Sequence, residues 1–181
     1  MKGFGNNSNA AWETEELFAE ARAPLMRYLR HHLDDASAAE DVAQESFIRF
    51  YQARSHGEEI GQPKAWLFRV AHNLLVDYGR KKRPDLLDED GWLRVEGKLQ
   101  RSPEGIEARV EIASLPWHKL TSAELECLRL RSEGLKFREV AEVLGLTIST
   151  VASYVARAVK KLQETGSERE SSEHGRTATR R

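Results

Sequence analysis

A single cysteine, Cys127, in a chain of 181 residues leaves no partner for an internal disulfide and no thiolate cluster for a metal. Long apolar runs are missing too. Nothing approaches the about 18 consecutive apolar residues of a membrane span, and the opening MKGFGNNSNAAWE lacks the apolar core of a signal peptide. These absences lead to the expectation of a soluble chain in the cytoplasm. An excess of charge of one sign is also absent: 28 Lys and Arg face 29 Asp and Glu, for a net charge of −1. A uniformly basic coat for nucleic acid is thereby excluded, and any affinity for phosphate has to come from local patches. The six histidines include the adjacent pair His31 and His32, but none forms an HExxH-type ligand pair, so no metal and no cofactor is expected. With no glycine-rich phosphate loop and no GxSxG elbow, no catalytic residue is expected and the chain reads as a non-enzyme.

Alternating strand patterns are missing as well, and what is present is helical periodicity nearly throughout. From Glu13 to about Leu33, Leu17, Phe18, Ala21, Leu25, Tyr28 and Leu29 share one face, with Pro24 inside the segment predicted to kink or break it. A second helix is predicted from about Ser37 to Arg54. A third begins after SHGEEIGQP, where Pro63 suits a first turn. Between Pro84 and Pro116 the pattern dissolves into an acidic, weakly periodic tether with a short helix predicted near Ile106 to Ala113. Helices resume at TSAE, a capping box with Thr121 as N-cap and Glu124 reaching back. The expected architecture is all-α: a disordered N-terminus over 1–12, a helical domain over 13–83, a linker over 84–115, a second helical domain over 116–164 and a disordered tail over 165–181.

In the second domain, Phe137 to Leu144 forms a short helix, Gly145 supplies the turn, and Thr147 caps a further helix to about Gln163. This is the pattern of a helix-turn-helix. Ile148, Val151, Val155, Ala158, Val159 and Leu162 form the expected buried stripe, which leaves Ser149, Thr150, Ser153, Tyr154, Arg157, Lys160 and Lys161 outside. Short hydroxyls permit close approach to base edges, and basic residues farther along reach phosphates. From Leu135 to Gln163 there are five basic and two acidic residues, a local surplus that separates a DNA-binding helix from a merely solvated bundle.

In the first domain, AWLFRVAHNLLVDYGRKKRP puts Trp66, Leu67, Val70, Ala71, Leu74, Leu75 and Tyr78 on one half of a helix. Arg69, His72, Asn73 and Arg80 fall opposite, and Lys81, Lys82 and Arg83 extend the basic end. Four positive charges in a row exceed what a helix C-terminus needs, and phosphate binding is a sufficient reason for them. The preceding helix buries Ala39, Val42, Ala43, Phe47, Phe50 and Tyr51. Its outer face carries Asp41, Gln44, Glu45, Ile48 and Gln52. One exposed isoleucine is unremarkable alone, but an acidic rim around it has the form of a docking surface for a basic protein partner.

AAEDVAQESFIRFYQAR followed by QPKAWLFRVAHNLLVDYGRKKR resembles region two of the extracytoplasmic-function (ECF) sigma factors, of the sigma-70 superfamily. LRLRSEGLKFREVAEVLGLTISTVASYVARAVKKLQ resembles their region four. The resemblance implies a factor that binds core RNA polymerase, through its β′ clamp helices and β flap, and supports promoter recognition, melting and initiation. By matching positions, Asp41, Gln44 and Glu45 would lie on the face docked to the clamp helices, with Ile48 in its middle. Asn73, Arg80 and the basic run would lie along the minus-ten element, with Arg69 on the same face. The loop from Ser55 to Gln62 would hold a base flipped from the melted strand. The outer face of the last helix would read the minus-thirty-five element, and an anti-sigma factor is a further possible partner. Two departures, Ala152 for a common lysine and Tyr154 for a common arginine, imply fewer phosphate contacts and a weaker salt dependence there. Trp117 and the extra residues of SLPWHKLTSAELECL also depart from the usual pattern. Two other readings stay open at this point: a helix-turn-helix regulator that acts without polymerase docking, and a sigma-like mimic that binds an anti-sigma protein and no DNA.

Overall fold

The computed structural model describes residues 4–82 and 117–177. The linker, with the short helix expected near Ile106, and Arg83 of the basic run lie outside the described residues. Among the described residues six helices run in the order α1 (Phe4–His32), α2 (Ala36–Ser55), α3 (Pro63–Lys82), α4 (Ser122–Ser132), α5 (Phe137–Leu144) and α6 (Ile148–Thr177), with a 3-10 turn at Trp117–Lys119 before α4. No single helix among the described residues is long and apolar enough to cross a membrane.

Helix α1 runs through Pro24, so of the expected kink or break the proline does not break the helix. A proline inside a helix costs about 3 kcal/mol. Each fully buried large apolar side chain returns about 1.5–3 kcal/mol, and Leu25, Tyr28 and Leu29 directly after it are all buried. The expected disorder over 1–12 is likewise replaced by helix from Phe4. Its anchors are Ala10, which is buried, and Glu13, whose carboxylate takes two hydrogen bonds from Arg54 of α2. Phe18, expected in the core, is half exposed, with its ring tilted against Phe47 at 5.0 Å.

Helix α2 starts at Asp35, whose carboxylate accepts the Ser37 N–H at 2.9 Å. Its buried face is built mostly of small residues, Ala38, Ala39, Ala43 and Ser46, which lets α1 pack closely before Phe47 and Phe50 fill the far end. Pro63 opens α3 at the position where its missing N–H is no loss. Leu67, Phe68, Ala71 and Leu75 face inward, and Trp66 sets its ring edge-on to Phe50 at 5.7 Å.

In the second half the expected caps are present. Thr121 Oγ1 accepts the Glu124 N–H at 3.3 Å, and Glu124 Oε2 accepts the Thr121 N–H at 2.9 Å, closing the capping box on α4. Gly145 ends α5 with a φ of 65°, a left-handed conformation that favours glycine. Thr147 Oγ1 then accepts the Thr150 N–H at 3.1 Å to start α6. The axis of α6 turns 106° from that of α5, within the range of a helix-turn-helix. Helix α6 continues to Thr177, where disorder was expected from Thr165.

The two halves do not stand apart. Buried residues of α1, α2 and α3 join Cys127, Leu130, Leu135, Val140, Val143 and Val151 of the second half in one apolar cluster.

Candidate nucleic-acid and protein interfaces

On α2 the predicted docking stripe faces outward. Asp41 and Gln44 are exposed, Glu45 is half exposed and paired with Arg49 at 2.8 Å, and Ile48 is 49% exposed. Tyr51, expected in the core, is exposed as well. It lies three residues beyond Ile48, so the apolar part of the stripe is longer than the sequence suggested. The neighbouring exposed Phe18 widens it from the α1 side.

The predicted phosphate face of α3 is divided. Asn73 is exposed. Arg69 donates from Nη1 to Glu142 Oε1 of α5 at 3.2 Å, and His72 lies half-buried under α1 and α4. Arg80, Lys81 and Lys82 form the end of α3. Before α3, Gln62 of the predicted base-holding loop lies between Glu139 and Arg138, and with its amide turned to satisfy both it donates to Glu139 Oε1 at 2.8 Å and accepts from Arg138. It lines an open cleft of about 310 Å³ between the halves, together with Glu20, Lys64, Gly134 and Lys136.

On α6, Ser149, Ser153, Arg157 and Lys160 are exposed as expected. Thr150 is partly covered and its hydroxyl joins Thr147 in the cap, at 2.7 Å. Two predicted contacts turn inward instead. Tyr154 packs against the core with the Arg157 guanidinium 4.9 Å above its ring. Lys161 donates to Glu124 Oε2 at 2.6 Å, and Glu124 is itself buried. Conversely Ile148 and Val159, expected in the buried stripe, are 52% and 39% exposed. On a wheel both lie to one side of the Val151, Val155, Ala158 and Leu162 seam, with Tyr154 and Lys161 on the other. The helix is rolled toward the Glu124 side, which draws Lys161 in and lifts Ile148 and Val159 out.

A buried polar cluster between the halves escaped the sequence reading. Tyr28 of α1 is fully buried and donates its hydroxyl to Glu126 Oε1 of α4 at 2.7 Å. The Tyr28 oxygen also lies 2.8 Å from His72 Nδ1. Because the phenol has one proton and gives it to the carboxylate, His72 must carry its proton on Nδ1 and donate. His32 Nε2 stands 3.3 Å from the same carboxylate oxygen and Arg129 Nη1 3.6 Å from the other. Burial pushes the Glu126 carboxyl up, but His32, Tyr28 and His72 outweigh it and hold the group at about 2. Burial also pushes His72 below the usual imidazole value and Tyr28 well above the usual phenol value, keeping it a donor. A trace of this cluster was legible. Glu126, Leu130 and Glu133 lie at helical spacing, so two carboxylates share a face with a buried leucine.

The sign of the resulting pH dependence is fixed. Glu126 binds its proton less readily folded than unfolded, so its contribution is complete above 4.5 and lost as pH falls toward about 2. Urea midpoints across that window are expected to fall less steeply for Glu126→Gln than for the parent chain. Parallel curves would show that the carboxylate is not held ionised by this cluster.

The family described as Sigma-70 region 2 matches residues 17–84, and the one described as Sigma-70, region 4, matches residues 118–162. The ECF RNA polymerase sigma factor SigL of Mycobacterium tuberculosis is 33% identical over 166 residues, covering 82% of this chain and 86% of SigL. This chain belongs to the ECF RNA polymerase sigma factor family. The ECF sigma factor BldN of Streptomyces coelicolor is 28% identical over 158 residues, which span 81% of this chain but only 57% of BldN. The fold agrees with that of the sigma factor RpoE from Bartonella quintana, solved in complex with the anti-sigma factor NepR. That likeness has a TM-score of 0.59 and 22% identity, covering 83% of this chain and 93% of RpoE. Within the family's two-part layout, the region 2 match takes in α1 from Leu17 together with α2 and α3, and the region 4 match takes in α4, α5 and α6 as far as Leu162.

Proposed function

We propose that this chain is an initiation factor that docks on core RNA polymerase and directs it to promoters, acting by binding rather than by catalysis. The observation that carries the reading is the α2 face. Asp41, Gln44 and Ile48 stand exposed together, in the same chain as a helix-turn-helix that would not need them. An acidic rim around an apolar centre is complementary to a basic helical partner, here the β′ clamp helices, while the β flap takes the second half. Asn73 offers a side-chain amide to an exposed base edge of the minus-ten element. Arg69 and the run from Arg80 to Arg83 supply charge to the strand's phosphates. On α6, Ser149 and Ser153 reach base edges of the minus-thirty-five duplex, Arg157 and Lys160 reach phosphates, and exposed Ile148 is placed for a thymine methyl. Ala152 and the inward Tyr154 and Lys161 leave this face with few charges, so the upstream duplex contact is weak and only mildly salt-dependent.

A chain of this kind works in the cytoplasm, with promoter DNA and core polymerase as partners and an anti-sigma factor as a regulator of the type RpoE has in NepR. The test is run-off transcription with purified core polymerase on a randomised promoter library. Recovery of templates sharing both an upstream and a downstream element is the expected result. No enrichment above core polymerase alone would reject the reading in favour of a regulator that acts without polymerase.

A further inference from the structure

The guanidinium that ties the first turns of α1 to α2 also reaches the loop that follows α2. Arg54 donates through Nε and Nη2 to the Glu13 carboxylate, the latter at 2.8 Å, and through Nη1 to the Glu58 carbonyl. A guanidinium is a rigid planar fork, so seating one edge on a carboxylate fixes where the other edge points. Glu13 is itself held, since Oε1 also accepts the Asn9 amide one turn back at 2.8 Å. Hydrogen bonding from Arg54 keeps the Glu13 carboxyl below its ordinary value, so the anchor stays ionised.

The loop has a place that needs such a hold. Gly57 turns the chain at a φ of 85°, and the Gly57 and Glu58 N–H groups return to the Arg54 and Ala53 carbonyls at 3.0 Å each. Beyond that turn Glu58, Glu59 and Gly61 are exposed, and Ile60 packs against the core. The Glu58 carbonyl therefore marks the point where the chain leaves the helix end and begins its exposed course. A donor fixed on that oxygen limits the directions the course can take. Arg54 and the loop fall inside the segment matched by Sigma-70 region 2, residues 17–84, whereas Glu13 precedes it.

We infer that Glu13 is a positioning residue for base recognition: acting through Arg54, it sets the course of the loop at Glu58 and with it the sequence preference of the minus-ten contact. This role rests on the proposed function, with the loop as holder of a base flipped from the melted strand. The first turns of α1 then belong to the promoter-reading apparatus without touching DNA. Their contribution is preorganisation, because a loop already held in its binding shape loses less freedom when the base enters. The same ordering sharpens discrimination, since a loop free to adjust accommodates a wrong base more readily.

The test uses polymerase reconstituted with the full chain, and fluorescein-labelled single strands of the minus-ten sequence that run-off transcription recovers. Each position is varied through the four bases, and anisotropy gives the preference at each. Glu13→Ala and Arg54→Ala are each expected to lower the preference at one position about fivefold, the worth of one hydrogen bond of ordering, and to leave the other positions at parent values. The exchanged pair Glu13→Arg/Arg54→Glu separates positioning from bracing. It should return the urea midpoint of the free chain toward the parent's, because the ion pair is remade. The weakened preference should persist, because a carboxylate at position 54 has no proton to donate to the Glu58 carbonyl. An unchanged profile, a loss spread evenly over all positions, or recovery of the preference in the exchanged pair overturns the positioning role. Run-off transcription by the parent chain judges the proposed function by itself. A parent that initiates and reads its minus-ten element, beside variants that read it equally well, sinks the role of Glu13 alone.

Discussion

The double variant Asp41→Lys/Glu45→Lys is expected to lose association with core RNA polymerase by about two orders of magnitude, while its unfolding midpoint stays close to the parent's. Both positions are on the outer face of α2, at its exposed or half-exposed side. The cost to stability is confined to the Glu45–Arg49 pair, worth about 0.3–0.5 kcal/mol as an exposed contact one helical turn apart. The cost to docking is larger, because like charges pressed together across an interface are penalised by several times that amount, and Ile48 between them loses its dry surroundings. Co-elution with core polymerase on size exclusion, beside a urea titration of the free variant, separates the two effects. Retention with core equal to the parent's would remove α2 from the docking surface.

Lys161→Met is expected to destabilise the second half by about 2–3 kcal/mol, and Lys160→Met by almost nothing, although the two residues are neighbours. Lys161 is the close partner of Glu124, which is buried and also carries the N-terminal cap of α4. Burial pushes the Glu124 carboxyl up, but Lys161 and Thr121 together leave it below its ordinary value, so the group is ionised and needs its cation. Arg157, 3.9 Å from the other oxygen, offers only partial replacement. Lys160 reaches into solvent toward Glu164 at 3.7 Å. The DNA readouts should be inverted: Lys160→Met lowers the salt slope of duplex binding by about 1, and Lys161→Met does so much less. Equal urea midpoints for the two variants would place Lys161 back on the outer face.

That pair shows where a sequence is informative and where it is not. Thr121 with Glu124, Gly145 after Leu144, and Thr147 before Ile148 are local signals, each readable from a few consecutive residues. All three define helix ends in the structure. The roll of α6 is not local. Periodicity selects a face to within one side chain on either edge, and the choice between Val159 and Lys161 at those edges was made by Glu124, 37 residues away. That Pro24 does not break α1 is not local either, since its penalty is set against the burial of the residues that follow it. The histidines looked scattered because His32 and His72 meet around Tyr28 and Glu126, at separations that no short pattern spans. The outer face of α2 was legible through composition alone, but Tyr51 was assigned to the wrong side of its boundary.

The fastening between the halves joins positions far apart in the chain: Tyr28 to Glu126 across 98 residues and Arg27 to Glu133 across 106. Closing loops of that length costs entropy that neighbouring contacts do not, so such pairings form late, after each half has assembled its own helices. On the ribosome the delay is greater still. Chains grow at about 5–20 residues per second, and amino-terminal units fold first. Helices α1 to α3 therefore emerge before α4 and α5 exist to cover them. A newborn chain spends its first seconds with Arg69 unpaired with Glu142 and His72 covered on its α1 side alone, and the contacts are completed only when synthesis has passed Glu142.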